Sequence, residues 1–370
     1  MESKKNAPKN QTDNRIEQLR DSINEIDESV LKQINERMLI AKEIGKIKKE
    51  TGSYVYDKLR ENQIMERLIR LNPGPLKKQA LHQIFSDIIS ASREIQTPTR
   101  ITYLGPEATF THIAAMELFG HSASFIPQPG IRDIFLEVSK GACDYGVVPV
   151  ENSIEGAINH TLDLFFESDL KICAEKYLNI SQSLLARSSR INDIKIIYSH
   201  PQAFAQCRAW IRKNLPDAEL SECSSTAHAA QKAFKKVNAA AIANSEAAHI
   251  YGLQEIASKI EDHSNNITRF LLIGKDTAKP TGCDKTSIMF VISHVPGALY
   301  KILEPIAETG INMSKMESRP TKHENWSYFF FVDFDGHIHD EKIKQTIDRM
   351  KPYCMYLKWL GSYPRSPDMS

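Results

Sequence analysis

Between residues 16 and 49 the apolar side chains Ile16, Leu19, Ile23, Ile26, Val30, Ile34, Ala41 and Ile44 recur at three- and four-residue steps, with no proline among them. That is the period of one face of a single long helix. A helix of roughly 30 residues reaches about 45 Å, too long for one small monomer to cover. The stripe therefore calls for partner helices or a second copy of the chain. At about 100° per residue, Arg37 and Lys48 fall within about 20° of each other in the middle of this stripe. A guanidinium and an ammonium left unpaired in an interior cost several kcal/mol each, so acidic side chains or an anionic ligand must meet them. Arg20 points about 100° away around the axis, which suits an arginine offered to a neighbouring subunit.

Two further helical patterns repeat the anomaly. Over residues 57–71, Asp57, Arg60 and Glu61 extend the stripe carried on by Ile64, Leu68 and Leu71. In the third, Ile84, Ile88, Ser92 and Gln96 stand four apart on one face, so two hydrogen-bonding side chains continue an isoleucine row. Polar groups from three helices converge on one interior. Internal salt bridges, such as Arg37 with Glu61, or long side chains reaching solvent are the alternative to a ligand site.

The chain of 370 residues holds 47 basic and 46 acidic side chains, for a formal charge of +1. No net field recruits nucleic acid or an anionic membrane, and no segment approaches the roughly 20 apolar residues of a membrane span. Six scattered cysteines form no CxxC pair, which argues against zinc or a redox motif and for a reducing, cytoplasmic home. Residues 1–14 read as a disordered tail. Turn-forming stretches at 96–99 and 276–282 divide the rest into three regions: residues 15–97, all-helical; 98–276; and 285–363.

The middle region alternates strand and helix. Ile101-Thr102-Tyr103-Leu104 precedes Gly105-Pro106 and a helix over 110–119; Tyr145-Gly146-Val147-Val148-Pro149-Val150 leads through Glu151-Asn152-Ser153 to a helix; Ile196-Ile197-Tyr198 leads through Ser199-His200-Pro201-Gln202 to another. This is α/β patterning, with helix starts gathered at the carboxyl edge of a sheet to form an anion-binding cleft. Each junction taken singly is an ordinary N-cap. The last region reads strand, helix, strand, strand, helix, strand, with Gly310 as a helix C-cap. That is an α+β ferredoxin-like arrangement.

These residues carry resemblances. Leu19-Arg20, Ile26-Asp27, Glu36-Arg37, Gly45-Lys46-Ile47-Lys48 and Asp57 with Arg60-Glu61 resemble the all-helical chorismate mutase family. Gly105-Pro106-Glu107-Ala108-Thr109-Phe110-Thr111, Val148-Pro149-Val150-Glu151-Asn152-Ser153, Gly156-Ala157-Ile158-Asn159-His160-Thr161, Ser199-His200-Pro201-Gln202 and Thr268-Arg269-Phe270 look, in this order, like prephenate dehydratases. Ala108 stands where many of those relatives carry glycine, a departure expected to matter little. Gly297-Ala298-Leu299-Tyr300 and Glu317-Ser318-Arg319-Pro320 resemble the phenylalanine-site signatures of ACT domains.

The mutase resemblance implies a domain-swapped helical dimer that rearranges chorismate to prephenate without a cofactor. Arg37 and Arg60, with Arg20 of the partner subunit, would hold the two carboxylates. Lys48 and Gln96 would meet the ether oxygen that gains charge as its bond breaks, while Asp57, Glu61 and Ser92 orient polar edges. The dehydratase resemblance implies two α/β lobes of the periplasmic-binding-protein type around a cleft, with Thr268 as a positioned hydroxyl donor. Asn152, Ser199 and Gln206 would hold substrate, with Thr109 and Arg269 behind them. Arg269, one residue along a strand from Thr268, should face the opposite side and suits an internal ion pair. His160 and His200 read as turn or cap residues. The ACT resemblance implies that L-phenylalanine binds at Gly297, Ala298, Leu299, Glu317, Ser318, Arg319 and Pro320 as an allosteric inhibitor. His337 and His339 read as a solvated turn, with no metal expected. The rival reading is a phenylalanine-responsive regulatory or scaffold protein whose catalytic sites have decayed.

Overall fold

The computed structural model describes residues 8–51, 58–154, 156–188, 190–263, 265–293, 295–320 and 328–366. The chain forms two compact units, residues 1–56 with 65–98 and residues 57–64 with 99–370.

Three helices open the chain: α1 (Pro8–Glu50), α2 (Lys58–Leu71) and α3 (Lys78–Gln96). The long helix expected from residue 16 begins at Pro8. The residues ahead of Ile16 carry no internal breaker, and a proline suits a first helical turn, where its missing N–H costs nothing. In the first unit α1 packs on α3 through Gly45, where a Cβ would stand 2.8 Å from the Gln96 Cα. Only a bare glycine lets the two backbones approach so closely. Ala41, Leu81 and Ile89 are buried, yet much of the α1 stripe stays open to solvent, with Leu19 58 % and Ile26 61 % exposed.

The second unit continues with β1 (Arg100–Leu104), α4 (Phe110–Phe119), β2 (Ser124–Gln128), α5 (Ile131–Lys140), β3 (Tyr145–Asn152), β4 (Gly156–Ala157), α6 (Asn159–Glu167) and β5 (Lys171–Asn179). There follow β6 (Ser183–Ala186), β7 (Ile196–Ser199), α7 (Pro201–Gln206), α8 (Arg208–Asn214), β8 (Glu219–Glu222), α9 (Thr226–Phe234), β9 (Ala239–Ala243), α10 (Glu246–Tyr251), β10 (Gln254–Ala257) and β11 (Ile267–Gly274). The last elements are β12 (Asp284–Val291), α11 (Ala298–Thr309), β13 (Met313–Pro320), β14 (Tyr328–Asp335), α12 (Glu341–Met350) and β15 (Tyr356–Pro364).

Among the described residues these strands build three sheets. The first runs β2-β1-β3-β11-β5 with β4 on β3, the second β10-β6-β9-β7-β8, the third β13-β14-β12-β15. The first two are lobes joined by two crossing segments, residues 180–182 and, among the described residues, 258–263 with 265–266. The segments bind each other: Ile180 N–H donates to the Asn266 carbonyl at 2.7 Å and Ile260 N–H to the Gln182 carbonyl at 2.9 Å. In the second lobe β9 is entirely alanine and isoleucine and fully buried, and Ala227, Ala230 and Ala233 of α9 pack in the same cluster.

Two expectations change here. Glu151 and Asn152 end strand β3 rather than opening a helix, which starts only at Asn159. Pairing decides this, since Asn152 lies in register with Thr268 on β11. Likewise the second strand of the last region, expected over residues 312–317, continues as β13 to Pro320, held by β14 from Phe331 to Tyr328.

The third sheet is covered on both faces. Ile288, Phe290, Phe330, Val332 and Phe334 pack under α11 and α12, with Ile302, Ile306, Ile343 and Ile347. Met289, Val291, Phe329, Phe331 and Leu360 join the core of the first lobe, with Ile172, Leu271 and Ile273. Burial on both faces is why β14 carries a continuous apolar run from Phe329 to Val332, ahead of the buried Asp333. Gly361, at φ 152°, sits where a Cβ would fall 2.3 Å from the Ile172 carbonyl oxygen, so β15 can lie on β5 only without a side chain there. Ala108 also has positive φ, 63°. The left-handed conformation costs about 1 kcal/mol or more, and burying the methyl among the alanines of the second lobe returns roughly 0.8 kcal/mol.

Candidate active sites

In the helical unit α1 and α3 bring Arg37, Ser92 and Gln96 together. Arg37 is half-buried and donates to Ser92 Oγ and, at 3.3 Å, to the Ile88 carbonyl; desolvation lowers its pKa. Ser92 in turn donates to the Ile88 carbonyl at 2.6 Å. Lys48 is half-buried one turn beyond Gly45, and the Gln96 Oε1 is buried with no hydrogen-bond partner among the described residues. Arg20 is exposed. Arg60 is exposed and Glu61 half-buried on the part of α2 that groups with the second unit. Asp57 lies outside the described residues.

Between the two lobes a cavity of about 290 Å³ is lined by Thr109, Asn152, Gln182, His200, Gln202, Gln206, Ser225, Asn266 and Thr268, with Pro149, Ile158, Ile180 and Phe270 as apolar wall. Asn152 Nδ2 donates to Thr268 Oγ1 at 2.8 Å and to Asn266 Oδ1 at 2.7 Å. The pairing of β3 and β11 places these groups side by side. Gln206, at the end of α7, accepts from Gln182 Nε2 at 3.4 Å, and Gln182 is itself 2 % exposed.

Some expected residues have other duties. Ser199 is fully buried and donates to the Ile242 carbonyl at 2.8 Å, so its hydroxyl ties β7 to β9 instead of lining the cavity. Thr109 caps α4 and donates to the Leu104 carbonyl at 2.7 Å. His200 caps α7 through Nδ1, which accepts from Gln202 N–H at 3.3 Å; His160 is exposed. Gln182 and Asn266 were not anticipated. The only signal for Asn266 is its two-residue spacing from Thr268, the step that keeps side chains on one face of a strand.

Arg269 faces away from the cavity, as strand alternation requires. Its side chain is 3 % exposed and binds Glu175 at 2.8 Å and Asp333 at 2.7 Å, with Tyr363 Oη accepting at 2.9 Å. Burial opposes the charge, but Asp333, Tyr363 and Glu175 together hold the pKa well above that of a free arginine. Lys285 joins Glu175 at 2.9 Å, and Lys315 of β13 binds Glu151 at 2.6 Å. Glu151 pairs in register with Arg269, and Lys315 with Asp333. One charged row of the first sheet thus faces a complementary row of the third.

In the ferredoxin-like part Gly297, Ala298, Leu299 and Tyr300 border a cavity of about 430 Å³ with Tyr328 and Phe330. Ser318 and Pro320 pair in register with Phe330 and Tyr328, which sets the two signature segments beside one wall. Arg319 reaches Asp163 of α6 at 3.6 Å. The His337 turn is not solvated: His337 is 2 % exposed, and its ring lies 3.2 Å from the Ala278 carbonyl. No group of three or more metal-binding side chains occurs among the described residues, and none of their helices is long and apolar enough to cross a membrane.

A helical unit with inward cations, a two-lobed α/β unit with a polar cavity, and a βαββαβ unit locked onto it by buried ion pairs define a multidomain enzyme with an attached sensing domain. Family models agree in the same order: chorismate mutase type II over residues 19–97, prephenate dehydratase over 101–278 and the ACT domain over 286–351. The bifunctional chorismate mutase/prephenate dehydratase of Aquifex aeolicus is 46% identical over 95% of this chain and 98% of its own length, and that of Stutzerimonas stutzeri is 42% identical with the same coverage. Among solved structures, a prephenate dehydratase from Arthrobacter aurescens in complex with L-Phe superposes with a TM-score of 0.67 at 36% identity, covering 72% of this chain and 90% of that one. The chain belongs to the family of bifunctional chorismate mutase/prephenate dehydratases.

Proposed function

We propose that the chain converts chorismate to prephenate in its helical region and prephenate to phenylpyruvate, water and carbon dioxide in the interlobe cavity, under feedback inhibition by L-phenylalanine. Domain limits of 15–97, 98–276 and 285–363 suit this division.

For the mutase, Arg37, Arg60 and Arg20 of the partner subunit grip the two carboxylates, since a guanidinium fork matches a carboxylate. Lys48 and an N–H of Gln96 stabilise charge that grows on the ether oxygen only as its bond breaks, so they favour the transition state over the bound substrate. Asp57, Glu61 and Ser92 orient the substrate's polar edges. The exposed stripe of α1 supports a homodimer or higher homo-oligomer, with a second copy as its cover; light scattering on the purified chain reads the mass.

The observation that carries the dehydratase reading is the Asn152–Thr268 pair inside the cavity. Dehydration must protonate a departing hydroxyl while a carboxylate leaves as neutral carbon dioxide. A Thr268 oxygen that already accepts from Asn152 has its own hydrogen to offer that hydroxyl, and the apolar wall of Pro149, Ile158 and Phe270 favours loss of the carboxylate's charge. Gln206 and Gln202, which line the cavity, hold substrate carbonyl and carboxylate oxygens in this reading. Six free thiols fit a cytoplasmic enzyme.

The test is chorismate consumption and phenylpyruvate formation, each with and without L-phenylalanine. Lys48→Ala is expected to lose the mutase by about 10²-fold or more and keep dehydration of supplied prephenate; Thr268→Ala should do the reverse. Equal loss of both activities in either variant sinks the assignment of separate sites, and conversion of neither substrate by the unmodified chain would favour the regulatory-protein reading.

A further inference from the structure

Asn266 is the last residue before β11, on one of the two segments that cross between the lobes. It is 2 % exposed, and its carbonyl is fixed by Ile180 N–H at 2.7 Å. Its side chain shares a face of the strand with Thr268, two residues on, and Asn152 of β3 stands opposite both.

The orientation of the Asn152 amide follows from its surroundings. Asn152 Oδ1 accepts from Ile154 N–H at 3.0 Å. A backbone N–H can only donate, so that atom is the oxygen and the other is the NH₂. The NH₂ then faces Asn266 Oδ1 at 2.7 Å and Thr268 Oγ1 at 2.8 Å. Reversing the amide would set two carbonyl oxygens against each other at the Asn266 contact and forfeit the Ile154 bond. It would also turn an acceptor toward Thr268, and the hydroxyl would give its hydrogen to Asn152 rather than to the cavity.

We propose that Asn266 is a positioning residue for dehydration: through the Asn152 amide it fixes the Thr268 hydroxyl as an acceptor from the protein and a donor to the substrate. This rests on Thr268 being the donor to the departing hydroxyl. Asn266 itself need not touch the reacting atoms. Its effect belongs to turnover rather than to affinity, because a hydroxyl turned the wrong way still fills the same space in the bound complex.

The experiment measures dehydratase kcat and KM, with the thermal midpoint of each preparation, for Asn266→Ala, Asn266→Asp and Thr268→Ala in the full chain. Asn266→Ala is expected to lower kcat by ~10²-fold with KM within about threefold of the unmodified enzyme. Asn266→Asp keeps an acceptor oxygen opposite the Asn152 NH₂ and is expected to recover at least about tenfold of that loss. A kcat for Asn266→Ala within about threefold of the unmodified chain, a loss confined to KM, or no recovery in Asn266→Asp would each overturn the assignment. Thr268→Ala separates the layers. If it is inactive while Asn266→Ala turns over normally, only the role of Asn266 falls; if Thr268→Ala keeps its activity, the reading of Thr268 falls first. Should Asn266→Ala not fold, Asn152→Asp replaces the NH₂ by an oxygen and is expected to show the same loss of kcat, and undiminished turnover there overturns the proposal as well.

Discussion

Thr268 and Arg269 are neighbours in the chain with opposite surroundings. The threonine faces a polar cavity, while the arginine lies in a closed nest of Glu175, Asp333 and Tyr363. Alternation along a strand makes that division legible in the sequence, but the arginine's partners are not, since Glu175 and Asp333 are remote in the chain and meet it only when three strands and a second sheet assemble. Removing one partner leaves a buried cation short of its countercharge. Asp333→Asn is therefore expected to destabilise the chain by about 3 kcal/mol, read as a lower denaturant midpoint with an unchanged slope. A midpoint within error of the unmodified chain would show that the nest contributes little. Ser199 teaches the opposite lesson: a serine at a strand-to-helix junction looks like a ligand-binding residue, and only the approach of β9 shows its hydroxyl bonded to Ile242.

Among the elements, α1 was the most legible, because an uninterrupted three-to-four periodicity is a local property of the chain. Its packing on α3 was not, because the contact at Gly45 depends on where Gln96 lies. Gly45→Ala puts a methyl 2.8 Å from the Gln96 Cα, and the helices must separate. The expected cost is about 1–3 kcal/mol, with mutase turnover falling while dehydration of supplied prephenate is kept. Equal mutase activity in the variant would mean that the gap between α1 and α3 is not critical. Strands β3 and β13 were each expected to end early. Their extra residues look like turn or helix-start signals locally, and they become strand because β11 and β14 supply hydrogen-bond partners.

For the whole molecule, the effector reading rests on the cavity beside Gly297. Gly297 has φ 81° and caps α11. Gly297→Ala strains that turn and shifts the amides of Ala298 and Leu299. The concentration of L-phenylalanine giving half inhibition is expected to rise by ~10-fold, equivalent to about 1.4 kcal/mol, with uninhibited dehydration within about twofold. Unchanged inhibition would remove the cavity from the effector site.

The amino-acid sequence by itself determined the long amphipathic helix with cations in its stripe, the alternation of strands and helices in the middle, the βαββαβ order at the end, and the opposite facing of Thr268 and Arg269. These depend on periodicities of two and 3.6 residues that a local stretch carries whole. Only the tertiary structure decided that Asn152 ends a strand beside Thr268, that Asn266 and Gln182 line the cavity, and that Glu151 and Arg269 meet Lys315 and Asp333 across two sheets. The reason is physical: those contacts join residues up to 164 positions apart, and which of many possible polar partners they take is set by register and burial, which no local pattern encodes.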